Sequence, residues 1–197
     1  MTLVDLVSSP IVRVTPTGIE TRGGRYNVDA IIYATGFDAF TGPLLRMDVR
    51  GSRDLSLRTA WADGAGAYLG VQVAGFPNMF LITGPGSPSV LGNVVVCIEQ
   101  HVEWVAAALA ELKRRGVDTM QASEDAQQQW MTHVADAASR SLISQGTSWY
   151  SGANVAGKPR VFLPYVPGIA VFRQICDEVA EDNYRGFEIG IRPTHRV

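Results

Sequence analysis

Apolar and polar positions change rhythm along this chain, and the changes mark its elements. Ile11–Val14 and Gly18–Thr21 alternate with a period of two, are separated by Pro16-Thr17 and end at Gly23-Gly24. That pattern predicts a β-meander, with Leu3–Leu6 as a further short apolar strand ahead of it. Val28–Ala34, VDAIIYA, is nearly continuous in apolar residues, which predicts a central strand buried on both faces. The run stops at Thr35-Gly36-Phe37-Asp38. Polar residues and glycine at the carboxyl end of a buried strand are where open α/β sheets place ligands.

Residues 39–67 lose the periodicity and predict an irregular connection, with Leu57 and Trp61 as packing anchors. Gly64-Ala65-Gly66-Ala67-Tyr68-Leu69-Gly70 imitates a dinucleotide fingerprint but is one residue too long. It also precedes a strand-like stretch, Tyr68–Val73, where that fingerprint requires a helix, so it is rejected. Beyond the Gly75–Asn78 turn, Met79–Thr83 predicts a strand. A long helix follows, with Ile98, Val102, Val105, Leu109 and Leu112 on one apolar stripe and Gly116 as its stop. A second helix is predicted from the Ser123 cap to about Leu142, with Ala126, Trp130, Val134 and Ala137 inward. Glu124 and Asp125 suit its positive end. A last helix, about Ile169–Ala180, turns Phe172, Ile175 and Val179 inward.

The stretch Leu81–Gly92, LITGPGSPSVLG, joins a strand to the long helix through Gly84, Pro85, Gly86, Pro88 and Gly92. Glycine lets backbone approach a ligand, and the first N–H groups of a helix are unsatisfied and partly positive. An electron-rich or anionic group is therefore expected at Asn93 and Val94. The plainer reading is a strand-to-helix turn that binds nothing, since such turns recur throughout α/β proteins.

Residues 144–167 form a second irregular stretch, long and rich in glycine and aromatics, of a length typical of lids and binding loops. Trp149, Asn154 and Lys158 are its chemically useful side chains. An indole can cover an aromatic ligand and lysine suits a phosphate, but core packing and a solvated charge explain Trp149 and Lys158 as well.

Composition narrows the class. A net charge of −2 without a basic run argues against a nucleic-acid-binding surface. Cys97 and Cys176 form no CxxC pair and are expected as reduced core thiols, which suits the cytoplasm. His101, His133 and His195 show no metal-ligand spacing. No apolar stretch of about 18 residues could span a bilayer. The chain is strand-like from its third residue, as in the interior of a larger protein.

Four segments in order carry a resemblance: Ala34-Thr35-Gly36-Phe37-Asp38; TGPGSPSVLGN with Ile98–Val105; SWYSGANVAGK (Ser148–Lys158); and FRQICDEV (Phe172–Val179). Together they resemble the Baeyer–Villiger monooxygenases, in particular the phenylacetone and cyclohexanone monooxygenase branch, from about Val4 to Phe187. The resemblance implies an α/β flavoprotein with two dinucleotide-binding domains. It also implies FAD and NADPH as cofactors, and conversion of ketones to esters or lactones through a flavin peroxide. By that resemblance residues 1–38 end the NADPH-binding region, and 39–197 form the C-terminal part of the FAD-binding region with its helices and lid loop. Thr35, Gly36, Asp38, Gly84, Asn93, Val94, Trp149 and Lys158 are implied as cofactor-binding residues, and Ser89, Val90 and Leu91 as a substrate-pocket bulge.

The chain also departs from the family. Pro164 and Pro167 stand where relatives more often have glycine, and the chain has less than half a family member's length. It lacks the GxGxxG fingerprint for the FAD ADP moiety and the FxGxxxHxxxWP-type signature. The family arginine that stabilises the flavin peroxide would precede Met1. The leading expectation is therefore a C-terminal segment of such an enzyme, inactive alone. The alternative is a non-catalytic remnant or partner subunit that pairs with a separate N-terminal half or with a homodimer mate. A nitrogen- or sulfur-oxygenating relative ranks third.

Overall fold

Pairing near the N-terminus follows the period-two pattern. In the computed structural model, which describes residues 2–34, 36–146 and 148–191, β1 (Ile11–Thr15) pairs antiparallel with β2 (Gly18–Thr21). β2 pairs in turn with β3 (Gly24–Asn27), with Ile19 opposite Tyr26. The turn between β1 and β2 requires glycine at position 18. There φ is +154°, and a Cβ would lie 2.0 Å from the Tyr26 carbonyl oxygen. β3, GRYN, is too polar to be predicted from its pattern.

Two expectations for this region fail. Leu3–Leu6 forms no strand, because the Asp5 carboxylate captures the N–H groups of Val7 at 2.9 Å and Ser8 at 3.3 Å in a local turn. These hydrogen bonds hold the Asp5 acid below its ordinary pKa. Val28–Ala34 is not a buried strand either: Ile32 is 91% exposed and Tyr33 72%. A strand buried on both faces needs ladder partners, and the sheet of this region ends at β3. The chain separates into two compact units, Met1–Gly36 and Phe37–Val197, each considered alone.

In the second unit the core forms around a tight turn rather than a strand. Tyr68–Val73 folds back on itself, with the Tyr68 N–H bonded to the Gln72 carbonyl at 2.7 Å. Leu69 (φ +52°) and Gly70 (φ +64°) take the corner. Ala67, Leu69, Val71 and Val73 are all buried. Met79–Thr83 makes only an isolated bridge, Gln72 to Phe80. Two short helices, α1 (Gly42–Arg46) and α2 (Leu57–Ala60), lie in the irregular connection. Leu57 and Trp61 anchor a small cluster with Val73, Phe76 and Leu81, as their isolation in a polar stretch foretold.

Three long helices enclose the larger cluster: α3 (Val94–Arg115), α4 (Glu124–Ser139) and α5 (Ile169–Glu181). Asn93 caps α3 and Gly116 closes it in the left-handed conformation. Ser123 caps α4 by accepting the Ala126 N–H at 3.2 Å. The inward face of α3 is Cys97, Gln100, His101, Trp104, Ala108 and Leu112. It lies beside the stripe that the pattern favoured, of which Val102 and Leu109 are half exposed. Both sets follow helical spacing, and the indole decides between them: Trp104 Nε1 donates to the Cys176 carbonyl on α5 at 2.9 Å. On α4 the buried positions are Trp130, Val134 and Ala138, while Ala137 is only partly covered.

Two unpredicted strands, β4 (Thr119–Ala122) and β5 (Phe187–Gly190), pair antiparallel, with Thr119 opposite Gly190 and Ala122 opposite Phe187. The other edge of β4 is closed by Asn78. Its N–H donates to the Met120 carbonyl at 2.9 Å and its side-chain oxygen accepts the Met120 N–H at 3.0 Å. Cys97 and Cys176 are free and buried, and burial pushes the Cys176 thiol up to about 12. Among the described residues no helix is long and apolar enough to cross a membrane.

Candidate functional site

The glycine loop is held from all sides by its own unit. Gly84 N–H donates to the Gly70 carbonyl at 3.1 Å, Gly86 N–H to Leu163 at 2.7 Å, and Tyr165 N–H to Ser87 at 2.8 Å. The Trp130 indole donates to the Gly86 carbonyl at 3.1 Å. Gly84 and Gly86 thus serve close packing and do not bare their N–H groups to a ligand. A Cβ at Gly84 would meet the Gly70 carbonyl at 2.6 Å, and one at Gly86 (φ +88°) would meet the Trp130 Nε1 at 2.6 Å. The donors left over lie further on.

Ser89–Leu91 is a single helical turn, with Ser89 buried at φ +45° and Leu91 partly exposed. Gly92 and Asn93 follow on the surface. The Asn93 side chain accepts the Val95 N–H at 3.1 Å. Among the described residues, the N–H groups of Asn93 and Val94 make no hydrogen bond within the chain. Val94, Val95 and Val96 are 40%, 61% and 41% exposed around them. The start of α3 therefore offers unsatisfied, partly positive donors beside exposed valines. This chemistry suits an electron-rich or anionic group.

His101 braces this arrangement from below. Its Nδ1 accepts the N–H of Thr83, a residue in the left-handed region (φ +54°), at 2.9 Å. The ring is buried against Phe172, with centroids 5.4 Å apart. Burial pushes the imidazole down to about 4, against a smaller upward pull from the Leu81 carbonyl. With Nδ1 accepting, the neutral ring carries its proton on Nε2. Sequence reasoning treated this residue as an unremarkable histidine. Its spacing with Cys97, Trp104, Ala108 and Leu112 was the available signal.

A second cluster gathers other predicted residues. Asp38 and Lys158 form an ion pair, Asn154 Nδ2 donates to the Phe37 carbonyl at 2.8 Å, and Trp149 stacks on Phe40 at 5.6 Å. The irregular stretch after α4 thus folds back onto residues 37–42. Trp149 remains 39% exposed. Gly36 has φ +78° in the first unit, while Thr35 and the Val90 side chain lie outside the described residues.

No known protein-family profile matches the chain. Individual relatives do. It is 40% identical over 192 residues to the 2-oxo-Delta(3)-4,5,5-trimethylcyclopentenylacetyl-CoA monooxygenase of Pseudomonas putida, covering 95% of this chain and 35% of that protein. Among solved structures, an oxidised steroid monooxygenase bound to NADP matches with a TM-score of 0.84 and 46% identity, over 96% of this chain and 36% of that one. A closed cyclohexanone monooxygenase matches with a TM-score of 0.89 and 35% identity, over 95% and 35%. Others are named Baeyer–Villiger monooxygenase, FAD-binding monooxygenase and phenazine N-monooxygenase, or are solved in complex with FAD and NADP.

The fold is mixed α/β and matches the C-terminal part of these flavin monooxygenase structures. The chain is homologous, along nearly all its length, to the C-terminal portion of the Baeyer–Villiger monooxygenases. It spans about a third of the length of the relatives it matches.

Proposed function

We propose that this chain is the C-terminal segment of an FAD- and NADPH-dependent Baeyer–Villiger monooxygenase that converts ketones to esters or lactones. The observation that carries this reading is continuous homology over about 95% of the chain to one third of such enzymes. The unsatisfied donors at Asn93 and Val94 support it, because backbone N–H groups suit the carbonyl oxygens on the pyrimidine edge of a flavin. When bound, the flavin supplies the oxygen-activating chemistry; the protein orients it and keeps water away. In this chain Asn93 and Val94 present backbone donors, and Ser89–Leu91 forms a wall of the substrate pocket. Trp149 covers the nicotinamide side. Thr35 and Gly36 belong to the end of the NADPH-binding region, residues 1–38, and 39–197 to the FAD-binding region. The substrate is a small ketone, and the two buried thiols suit a reducing cytoplasm.

Assay of the purified chain with NADPH and a cyclic ketone tests the division of labour. The expected result is no turnover, since the phosphate-binding fingerprints of both nucleotide sites are not in this sequence. Ester formation coupled to NADPH consumption would overturn it.

A second reading has its own observation. Val28–Tyr33 leaves Ile32 and Tyr33 largely exposed without a strand partner, as expected of a subunit completed by a separate nucleotide-binding half. Co-purification of such a half from the native source favours this reading; a monodisperse monomer counts against it.

A further inference from the structure

We infer that Asp38 and Lys158 are positioning residues that clasp each other, holding the Trp149–Lys158 strap against residues 37–42 rather than binding a cofactor phosphate directly. The pair is built into its surroundings from both sides. Its side chains are only 26% and 16% exposed. A Cβ at Gly42 would lie 2.7 Å from the Asp38 carboxyl carbon, so glycine makes the space in which the carboxylate sits. Gly152 is left-handed at φ +75°, and a Cβ there would press on the Lys158 stem at 3.1 Å. One glycine thus makes room for each partner.

The remaining ties are aligned with the clasp. The Asn154 amide reaches the Phe37 carbonyl, and the Trp149 ring stacks on Phe40 with 28° between planes. Phe40 itself has φ +60°, a strained value for a β-carbon-bearing residue. Three residues of one segment, 37, 38 and 40, thereby meet residues 154, 158 and 149 of the other. A lysine whose charge is already neutralised inside the chain is poorly placed to attract a phosphate, whereas a partly buried pair resists solvent screening better than an exposed one. These contacts lie within one unit and stand whether or not the chain serves an oxygenase.

Hydrogen exchange of the intact chain, read by mass spectrometry over residues 148–160, tests the clasp through a double-mutant cycle. Lys158→Met keeps the stem and removes the charge, Asp38→Asn removes the opposite charge, and Lys158→Arg is the conservative control. Each neutralising variant is expected to speed exchange of the strap about three- to tenfold. The double variant should be no faster than either single one, Lys158→Arg should match the wild type, and α3 should be unchanged in all of them. Independent, additive effects of the two variants would overturn the proposal, as would exchange at the wild-type rate in Lys158→Met. An NADP+ titration separates the rival role: a phosphate ligand would lose affinity in Lys158→Met with strap exchange unaltered.

Discussion

Replacing Gly86 with alanine should be among the most damaging single-methyl changes in this protein. Gly86 lies at φ +88°, where a β-carbon costs about 1–2 kcal/mol from backbone strain alone. The added carbon would also sit 2.6 Å from Trp130 Nε1 and 3.1 Å from Cδ1, and the indole is buried in a cluster with Tyr165 and Phe172. Displacing it costs about 1–3 kcal/mol in overpacking, and losing the 3.1 Å hydrogen bond to the Gly86 carbonyl about 1 kcal/mol more. The total is about 3–6 kcal/mol. Gly116→Ala is the matched control. Its φ is +68° and nothing lies within 4 Å of its Cβ, so it should lose only the strain, about 1 kcal/mol. Urea unfolding of both variants, followed by far-ultraviolet circular dichroism, reads the difference directly. If Gly86→Ala lost no more than Gly116→Ala, the claim that close packing, and not ligand access, selects glycine in this loop would be refuted.

Other consequences are equally open to measurement. His101 is neutral when folded and its pKa falls from 6.5 to about 4, so the unfolded chain binds the extra proton between those values. Stability should drop by about 3 kcal/mol as pH falls from 6.5 to 4 and level off below, and His101→Asn should flatten that slope. A pH-stability profile of His101→Asn as steep as the wild type's would assign the slope to other groups. Asn93→Ala should cost about 1 kcal/mol through loss of the α3 cap, measured by thermal unfolding. Asn93→Asp should keep the cap while placing a carboxylate beside the free N–H groups. In any assembly that binds flavin, it should weaken binding without lowering the unfolding temperature.

Helix ends were the most legible part of the fold. Gly116 as a stop and Ser123 as a cap rest on local chemistry, and the structure uses both as such, while Asn93, expected as a first helical residue, is instead the cap of α3. The face of α3 was not legible, since two apolar sets share the helical period and only the distant Cys176 carbonyl, reached by Trp104, selects one. β4 and β5 escaped because TMQA and FEIG are short and find each other across the whole α4–α5 segment. The failure of Val28–Ala34 as a buried strand has the opposite cause: its pattern is strong, but this unit offers no ladder beside it.

The site divides in the same way. The start of α3 was visible because glycine before a capped helix has a fixed electrostatic meaning. The use of Gly84 and Gly86 was not, because their partners Gly70, Leu163 and Trp130 are set only by tertiary packing. Asp38 and Lys158 were singled out as separate ligands, and their spacing of 120 residues gave no hint that they meet.

The most direct test of the account is a graft: this chain replaces the matching C-terminal third of a cyclohexanone monooxygenase, and FAD binding and NADPH-dependent ketone oxygenation are measured. Stoichiometric FAD with ester or lactone formation is the predicted result. A folded graft that binds FAD but never oxygenates a ketone would contradict it.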